Sequence, residues 1–288
     1  MRTFSRIAPK VVPGLLLCLL AACGGQVGSA SSDPAPTTST QSSGAFDVAT
    51  LPGLSLWLQS DKGIQFDKEH TRVLGWDDLS PMHNDLTLKA GTGATRDGAF
   101  LGIQPTVAFD GASSYAFPGS TPLDVWGGDF LIEIVMHAQY TQNAQNQGFF
   151  SCVGPQPAVP GATIASFYIS NSQAAALEME SDGYSNGLTT KPVILPSGYV
   201  VSFQRRGGVI TSRRNGVIDQ TQDFLHITTP HCTSAVFGAL VDNGPAEMSS
   251  FLASDVAEVI VSQGTSTDAT VSALESSLMT KYGINSGN

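Results

Sequence analysis

Basic side chains are scarce in this 288-residue chain: 14 Lys and Arg stand against 24 Asp and Glu, for a formal charge of −10. A surface without a basic face has no electrostatic grip on nucleic acid or on anionic lipid headgroups, which excludes both as charge-driven partners. Charge of either sign is thin, at 13% of residues, while 30 glycines and many Ser and Thr fill the chain. Such a composition favours turns and short strands over long charged helices. Missing too are the motifs of several chemistries: no G-x-S-x-G elbow, no Gly-rich phosphate loop after a strand, no C-x-x-C and no H-E-x-x-H. His70, His83, His226 and His231 lie far apart and form no ligand pattern. No repeat of fixed period is visible, and no apolar run is long enough for a membrane-spanning helix.

What is present begins at the N-terminus. Arg2, Arg6 and Lys10 precede an apolar run from Val11 to Leu20, followed by Ala21, Ala22 and Cys23. That order is expected of a secretory signal peptide over residues 1–22. Leu20-Ala21-Ala22-Cys23 also resembles the lipobox of bacterial lipoproteins, which implies that Cys23 becomes the lipid-carrying N-terminus; the alternative is an ordinary cleaved signal with a spare thiol. Gly24, in place of Asp after that cysteine, implies sorting to the outer membrane in a Gram-negative envelope. Residues 23–45 read CGGQVGSASSDPAPTTSTQSSGA, with too little apolar surface to fold, so they are expected to be a disordered tether. As a flexible coil it would span on the order of 25 Å. The expected anchor is thus a lipid, and the expected location is the bacterial cell envelope, at the outer membrane if the cell is Gram-negative. Loss of Arg2, Arg6 and Lys10 takes the mature charge to about −13.

Cys18 leaves with the signal and Cys23 is the lipid site, which leaves Cys152 and Cys232. In an exported, oxidising context the two are expected to pair; buried thiols are the alternative. No His-Cys cluster with metal-ligand spacing surrounds either one.

Residues 46–288 carry a period-two pattern. FLIEIVMHA (130–138), GFFSCVG (148–154), ASFYIS (165–170), AALEMES (175–181), YVVSFQRR (199–206), VITSRRNGVID (209–219), SAVFGALV (234–241) and VAEVIVS (256–262) each read as strands. Asn215-Gly216 is a two-residue hairpin turn, because both positions tolerate positive φ. One helix is expected, over STDATVSALESSLMTKYGI: Ser266 or Thr267 caps it, Val271, Leu274 and Leu278 form its apolar stripe, and Gly283 stops it. Many short strands with turns between them make an all-β sandwich or barrel.

The pieces also have a familiar order. LPGLSLWLQSDKG, WDDLSPMHND, PTVAFDGASSYAF, FLIEIVMHA, the RRNG hairpin and VAEVIVSQGTSTDATVSALESSLMTKYGI follow one another between Leu51 and Ile284. Together they resemble the concanavalin A-like, laminin-G-like domains of bacterial surface proteins. The resemblance implies a jelly-roll β-sandwich of two antiparallel sheets with one C-terminal α-helix. Trp57 and Trp76 are expected in the core.

A fold of this kind hosts lectins, glycosidases, adhesion modules and spacers, so function must be sought in residues. Glu178, Glu180 and Asp182 in LEMESD resemble the E-x-D-x-E catalytic strand of retaining glycosidases, which need two carboxylates about 5 Å apart. Yet Glu replaces the central Asp, Asp replaces the last Glu, and GYSNG, which reads as a loop, follows at once; a solvent-facing polar edge is the favoured reading. Glu133 and His137 share a strand face and are candidates for ligand contact or acid-base work on a concave sheet; a structural polar patch is the alternative. Glu258, set among apolar strand residues, needs a buried partner, expected among the arginines of QRRGG or TSRRNG. Asp77, Asp78, Asn84 and Asp85 gather four oxygen donors that suit calcium, though turns are rich in such residues for their own hydrogen bonding. Trp126 and Tyr184 sit in turn-like contexts and are the candidate sugar platforms. The expected function is recognition of a glycan or other cell-surface polymer by a tethered lectin-like domain. A non-catalytic structural or adhesion module and a carbohydrate-active enzyme are the alternatives.

Overall fold

A computed structural model describes residues 45–97, 104–118, 128–137, 146–152, 198–223, 232, 234–241 and 248–286, and by backbone alone 153, 163–170, 176–181 and 184–189. After a 3-10 turn at Val48–Thr50 come β1 Leu54–Gln59, β2 Ile64–Phe66, β3 Val73–Trp76, β4 Leu86–Ala90, β5 Thr95–Asp97, β6 Thr106–Ala108 and β7 Ser114–Ala116. Then follow β8 Phe130–His137, β9 Gln147–Val153, β10 Thr163–Ser170, β11 Ala176–Ser181, β12 Tyr184–Thr189 and β13 Gly198–Arg206. The last group is β14 Val209–Arg214, β15 Val217–Asp223, β16 Ser234–Phe237, β17 Leu240–Val241, β18 Met248–Ser249, β19 Asp255–Gln263 and α1 Asp268–Tyr282.

These strands make two large antiparallel sheets. One runs β15-β14-β13-β8-β19-β6-β5, with β1 also paired to β19; the other runs β12-β11-β10-β9-β16-β7-β4-β3-β2. The all-β sandwich with a single C-terminal helix is the architecture the sequence implied. Its main core lies between the sheets, where Phe237 meets Trp76, Phe109 and Phe150 edge to face. The alternation on β8 explains its unbroken burial: Phe130, Ile132, Ile134 and Met136 enter this core, and Leu131 and Val135 leave from the opposite face. Trp76 is buried there, its Nε1 donating to the Gln59 carbonyl at 2.9 Å.

The opposite face is covered by α1. Val271, Leu274, Leu278 and Tyr282 pack on Leu131, Val135, Val200, Ala257 and Ile260, with Val48, Leu51 and Leu54 closing one side. Thr267 caps the helix by accepting from the Thr270 amide at 3.1 Å, and Gly283 ends it at φ 64°. Both signals match those read from the sequence. So does the hairpin, whose Asn215 and Gly216 have φ of 49° and 79°. Gly53 is required for a different reason: with φ +68°, a Cβ there would lie 1.8 Å from the Gln263 carbonyl oxygen.

Cys152 and Cys232 form the expected disulfide, tying β9 to the segment before β16 with their Cα atoms 5.3 Å apart. Two expectations are corrected. SAVFGALV is not one strand: Gly238, at φ +89°, turns the chain between β16 and the short β17–β18 ribbon. GYSNG is not a loop: Tyr184 to Thr189 form β12, an edge strand whose pairing to β11 is made by backbone groups that Gly, Ser and Asn also carry.

Candidate functional site

The residues of the family-like motifs converge, and they converge on structure. Trp57 of β1 donates its Nε1 to Glu258 Oε1 at 2.6 Å, while Lys281 Nζ and Tyr282 Oη approach Glu258 Oε2 at 2.7 and 2.9 Å. Glu258 thus finds its partners on β1 and the end of α1 rather than among the arginines expected for it. The arginines lie on β13 and β14, separated from β19 by β8. Burial and then the Glu258 charge push the Tyr282 phenol well up, so it remains a donor at any ordinary pH.

The acidic turn is likewise consumed internally. Asp78 is 2% exposed and accepts four hydrogen bonds, from the Trp57 and Ser80 amides at Oδ1 and from Ser80 Oγ and the Asn84 amide at Oδ2. Asn84 Nδ2 donates to the Ser55 carbonyl, Asp85 Oδ1 accepts from the Asp78 amide, and Asp77 accepts from Gln65. These are the bonds of a turn clamped to β1. Among the described residues no group of three or more His, Cys, Asp or Glu is placed to hold a metal ion.

Glu133 and His137 face α1, not an open concave surface. Glu133 is 1% exposed, beneath the helix, where Ser202 donates to Glu275 and Arg213 Nη1 lies 3.9 Å from Glu275 Oε2. Burial first, and the neighbouring Glu275 second, hold the Glu133 carboxyl well above its usual range; Arg213 pulls weakly the other way. Burial also raises Glu275, against the Ser202 hydrogen bond and Arg213. His137 is buried too, its Nδ1 3.3 Å from Asp255 Oδ2. A ligand has no access to Glu133 from that face while α1 is docked.

Beyond the helix the same sheet face opens. Helix α1 packs across β19, β8 and β13 and reaches β14 through Arg213, and at this border lies a cleft of about 280 Å³. Strand alternation brings Gln204 and Arg206 of β13 and Thr211 and Arg213 of β14 to its floor. Ile218 and Thr221 join them from β15 although they are three residues apart; a register shift opposite Ser212 and Arg213 makes that spacing work. At the rim, Arg206 Nη2 and Arg213 Nη2 each donate to one carboxylate oxygen of Asp268, both at 3.0 Å. No motif in the sequence marks these residues as one cleft, and its arginines were expected instead as partners of Glu258. The available signal was the pair of Arg-Arg doublets flanking one hairpin: on adjacent strands each doublet must send one arginine to each face.

Tyr184 lies on β12, and Glu178 and Glu180 lie on β11, where they pair with Tyr168 and Ser166 of β10. Trp126, Asp182 and Cys23 fall outside the described residues. Among those described, no helix is long and apolar enough to cross a membrane.

No protein-family model and no curated protein matches the chain. Solved structures do. The binding domain of botulinum neurotoxin serotype D/C VPI 5993 superposes with a TM-score of 0.54 at 11% identity, covering 78% of this chain and 52% of that one. The binding domain of botulinum neurotoxin DC in complex with rat synaptotagmin II gives 0.55 at 12% identity, with the same coverage of 78% and 52%. Trypanosoma rangeli sialidase in complex with the inhibitor DANA gives 0.52 at 11% identity, covering 79% of this chain and 33% of that one. This chain therefore spans about half of the toxin domains and a third of the sialidase. At such identities the likeness is one of fold.

Proposed function

We propose that this protein is an exported, lipid-anchored recognition module whose β-sandwich holds a glycan or other cell-surface polymer in the cleft beside the first turn of α1. The observation that carries the reading is the cleft itself: an open, polar hollow on a strand face, floored by side chains from three adjacent strands. The signal-like start, the lipobox-like Cys23 and the Ser/Thr-rich stretch after it support a tethered location in the envelope. The Cys152–Cys232 disulfide is consistent with an oxidising compartment. The structural neighbours supply a precedent in kind, since they include domains named for binding and a sialidase solved with sialic acid.

The test is binding of the full-length chain to a broad panel of glycans and polysaccharides, with calcium and with chelator. Binding that persists in chelator and is lost on Arg206→Glu supports the cleft; binding that needs calcium redirects attention to the Asp77–Asp85 turn. Silence across the panel favours the second reading, a non-catalytic structural or adhesion module. One observation favours that reading: the residues lining the cleft include no aromatic ring on which a sugar face would pack. The hydrolase alternative rests on Glu178, Glu180 and Asp182, and Glu178→Gln or Glu180→Gln would have to abolish a detected hydrolysis.

A further inference from the structure

The cleft contains a carboxylate seat that is already assembled. Asp268 divides its two oxygens between two guanidinium groups, Oδ2 to Arg206 and Oδ1 to Arg213, each at 3.0 Å. The three partners differ in how firmly they are held. The Arg213 side chain is 7% exposed and is fixed from below, with Nη1 3.5 Å from Ser272 Oγ and 3.9 Å from Glu275; its Nε has no hydrogen-bond partner. Asp268, by contrast, is 58% exposed, and Arg206 is 47% exposed. The exposed pair with Arg206 is worth about 0–1 kcal/mol, and exchanging Asp268 for another carboxylate leaves the buried Arg213 still paired.

Around the seat lie the other features of a sugar site. Thr211 and Thr221 face each other across β14 and β15 with their hydroxyl oxygens 3.4 Å apart, a short hydroxyl ladder on the cleft floor. Val209 and Ile218 supply apolar surface beside it. A volume of about 280 Å³ is at the small end for a ligand site and suits one sugar unit rather than a long segment.

We infer that the cleft takes a carboxylate-bearing sugar, a hexuronate unit of an acidic glycan, whose carboxylate displaces Asp268 and sits between Arg206 and Arg213. The inference rests on reading the cleft as the recognition site. The protein is acidic overall, which disfavours long-range attraction of a polyanion; two of its 14 basic residues, Arg206 and Arg213, nevertheless line this cleft.

The experiment is titration of the full-length chain with three oligomers of equal length: oligogalacturonate, its methyl ester, and neutral galactan. Oligogalacturonate alone should bind, Arg206→Gln should weaken it about three- to fivefold, the upper range for loss of one exposed pair, and Asp268→Asn should strengthen it severalfold by removing the internal competitor. Arg206 and Asp268 are both exposed, so these variants fold. Equal binding of acid and ester, or an Arg206→Gln affinity equal to the parent's, overturns the inference. Binding of neutral galactan as tight as that of the acid overturns it while leaving the recognition reading intact. No binding of any of the three, together with silence on the broad panel, overturns both.

Discussion

Lys281 Nζ lies 2.7 Å from Glu258 Oε2, and this ion pair joins the last turn of α1 to the middle of β19. Glu258 is 1% exposed, and the pair together with the Trp57 and Tyr282 donors supplies its hydrogen bonds in place of water. Lys281→Met should destabilise the fold by about 2–3 kcal/mol, because it strands a buried carboxylate. The double variant with Glu258→Gln should cost less than the sum of the two single variants, which urea unfolding of all four proteins measures.

The Glu133 carboxyl gives a pH signature. Its folded-state pKa stands above the ordinary 4.5, chiefly through burial and then through Glu275 on α1, opposed by Arg213 on β14. The folded chain therefore keeps a proton over a range in which the unfolded chain has released it. The contribution is fully present below the unfolded pKa and is lost as pH rises toward the folded one, by about 1.4 kcal/mol per pH unit. Glu133→Gln has no proton to lose, so its stability relative to the parent should rise between pH 4.5 and neutrality. Parallel unfolding curves with a constant offset across that range would refute this.

Asp78→Ala should unfold the protein at markedly lower denaturant. Four hydrogen bonds end on that side chain, and at about 1 kcal/mol each their loss amounts to roughly 4 kcal/mol. Because the same bonds occupy both oxygens, calcium or chelator should leave the parent's melting midpoint unchanged.

Reduction of the Cys152–Cys232 bridge should lower the melting midpoint without abolishing the sandwich. The bridge closes a separation of 80 residues, for which a contribution of about 2–4 kcal/mol is expected. The Cys152→Ala/Cys232→Ala variant should melt like the reduced parent and be indifferent to reductant.

Much of this architecture is written in local pattern. The cap at Thr267, the stop at Gly283 and the turn at Asn215-Gly216 are decided by neighbours in sequence, and each is found where its residues put it. Strand β8 was legible because both of its faces are buried. By contrast, β12 has no period to read, and its place depends on the edge that β11 offers. Glu258 plainly needed a partner, but its choice of Lys281 over four arginines depends on which strands are neighbours, a fact of topology. The cleft was hidden for the same reason: its floor comes from three strands, and the alignment of Ile218 with Thr221 comes from a register shift that no single strand announces. Glu133 and His137 shared a face as expected, but only the docking of α1 decides that the face is closed.

Strand β1 pairs with β19, the Phe46 amide donates to Ser277 Oγ at 3.0 Å, and Val48 and Leu51 pack under α1. The beginning of the domain is thus completed only by its end. A nascent chain emerging from the ribosome, or threading a translocation pore N-terminus first, must keep β1 unpaired until nearly 200 more residues have followed. Closing so long a loop is slow, and the waiting strand is apolar enough to aggregate. Removal of the final 20 or so residues should therefore leave more than a frayed tail: it would deny the earliest strand its cover and leave the domain without a finished state.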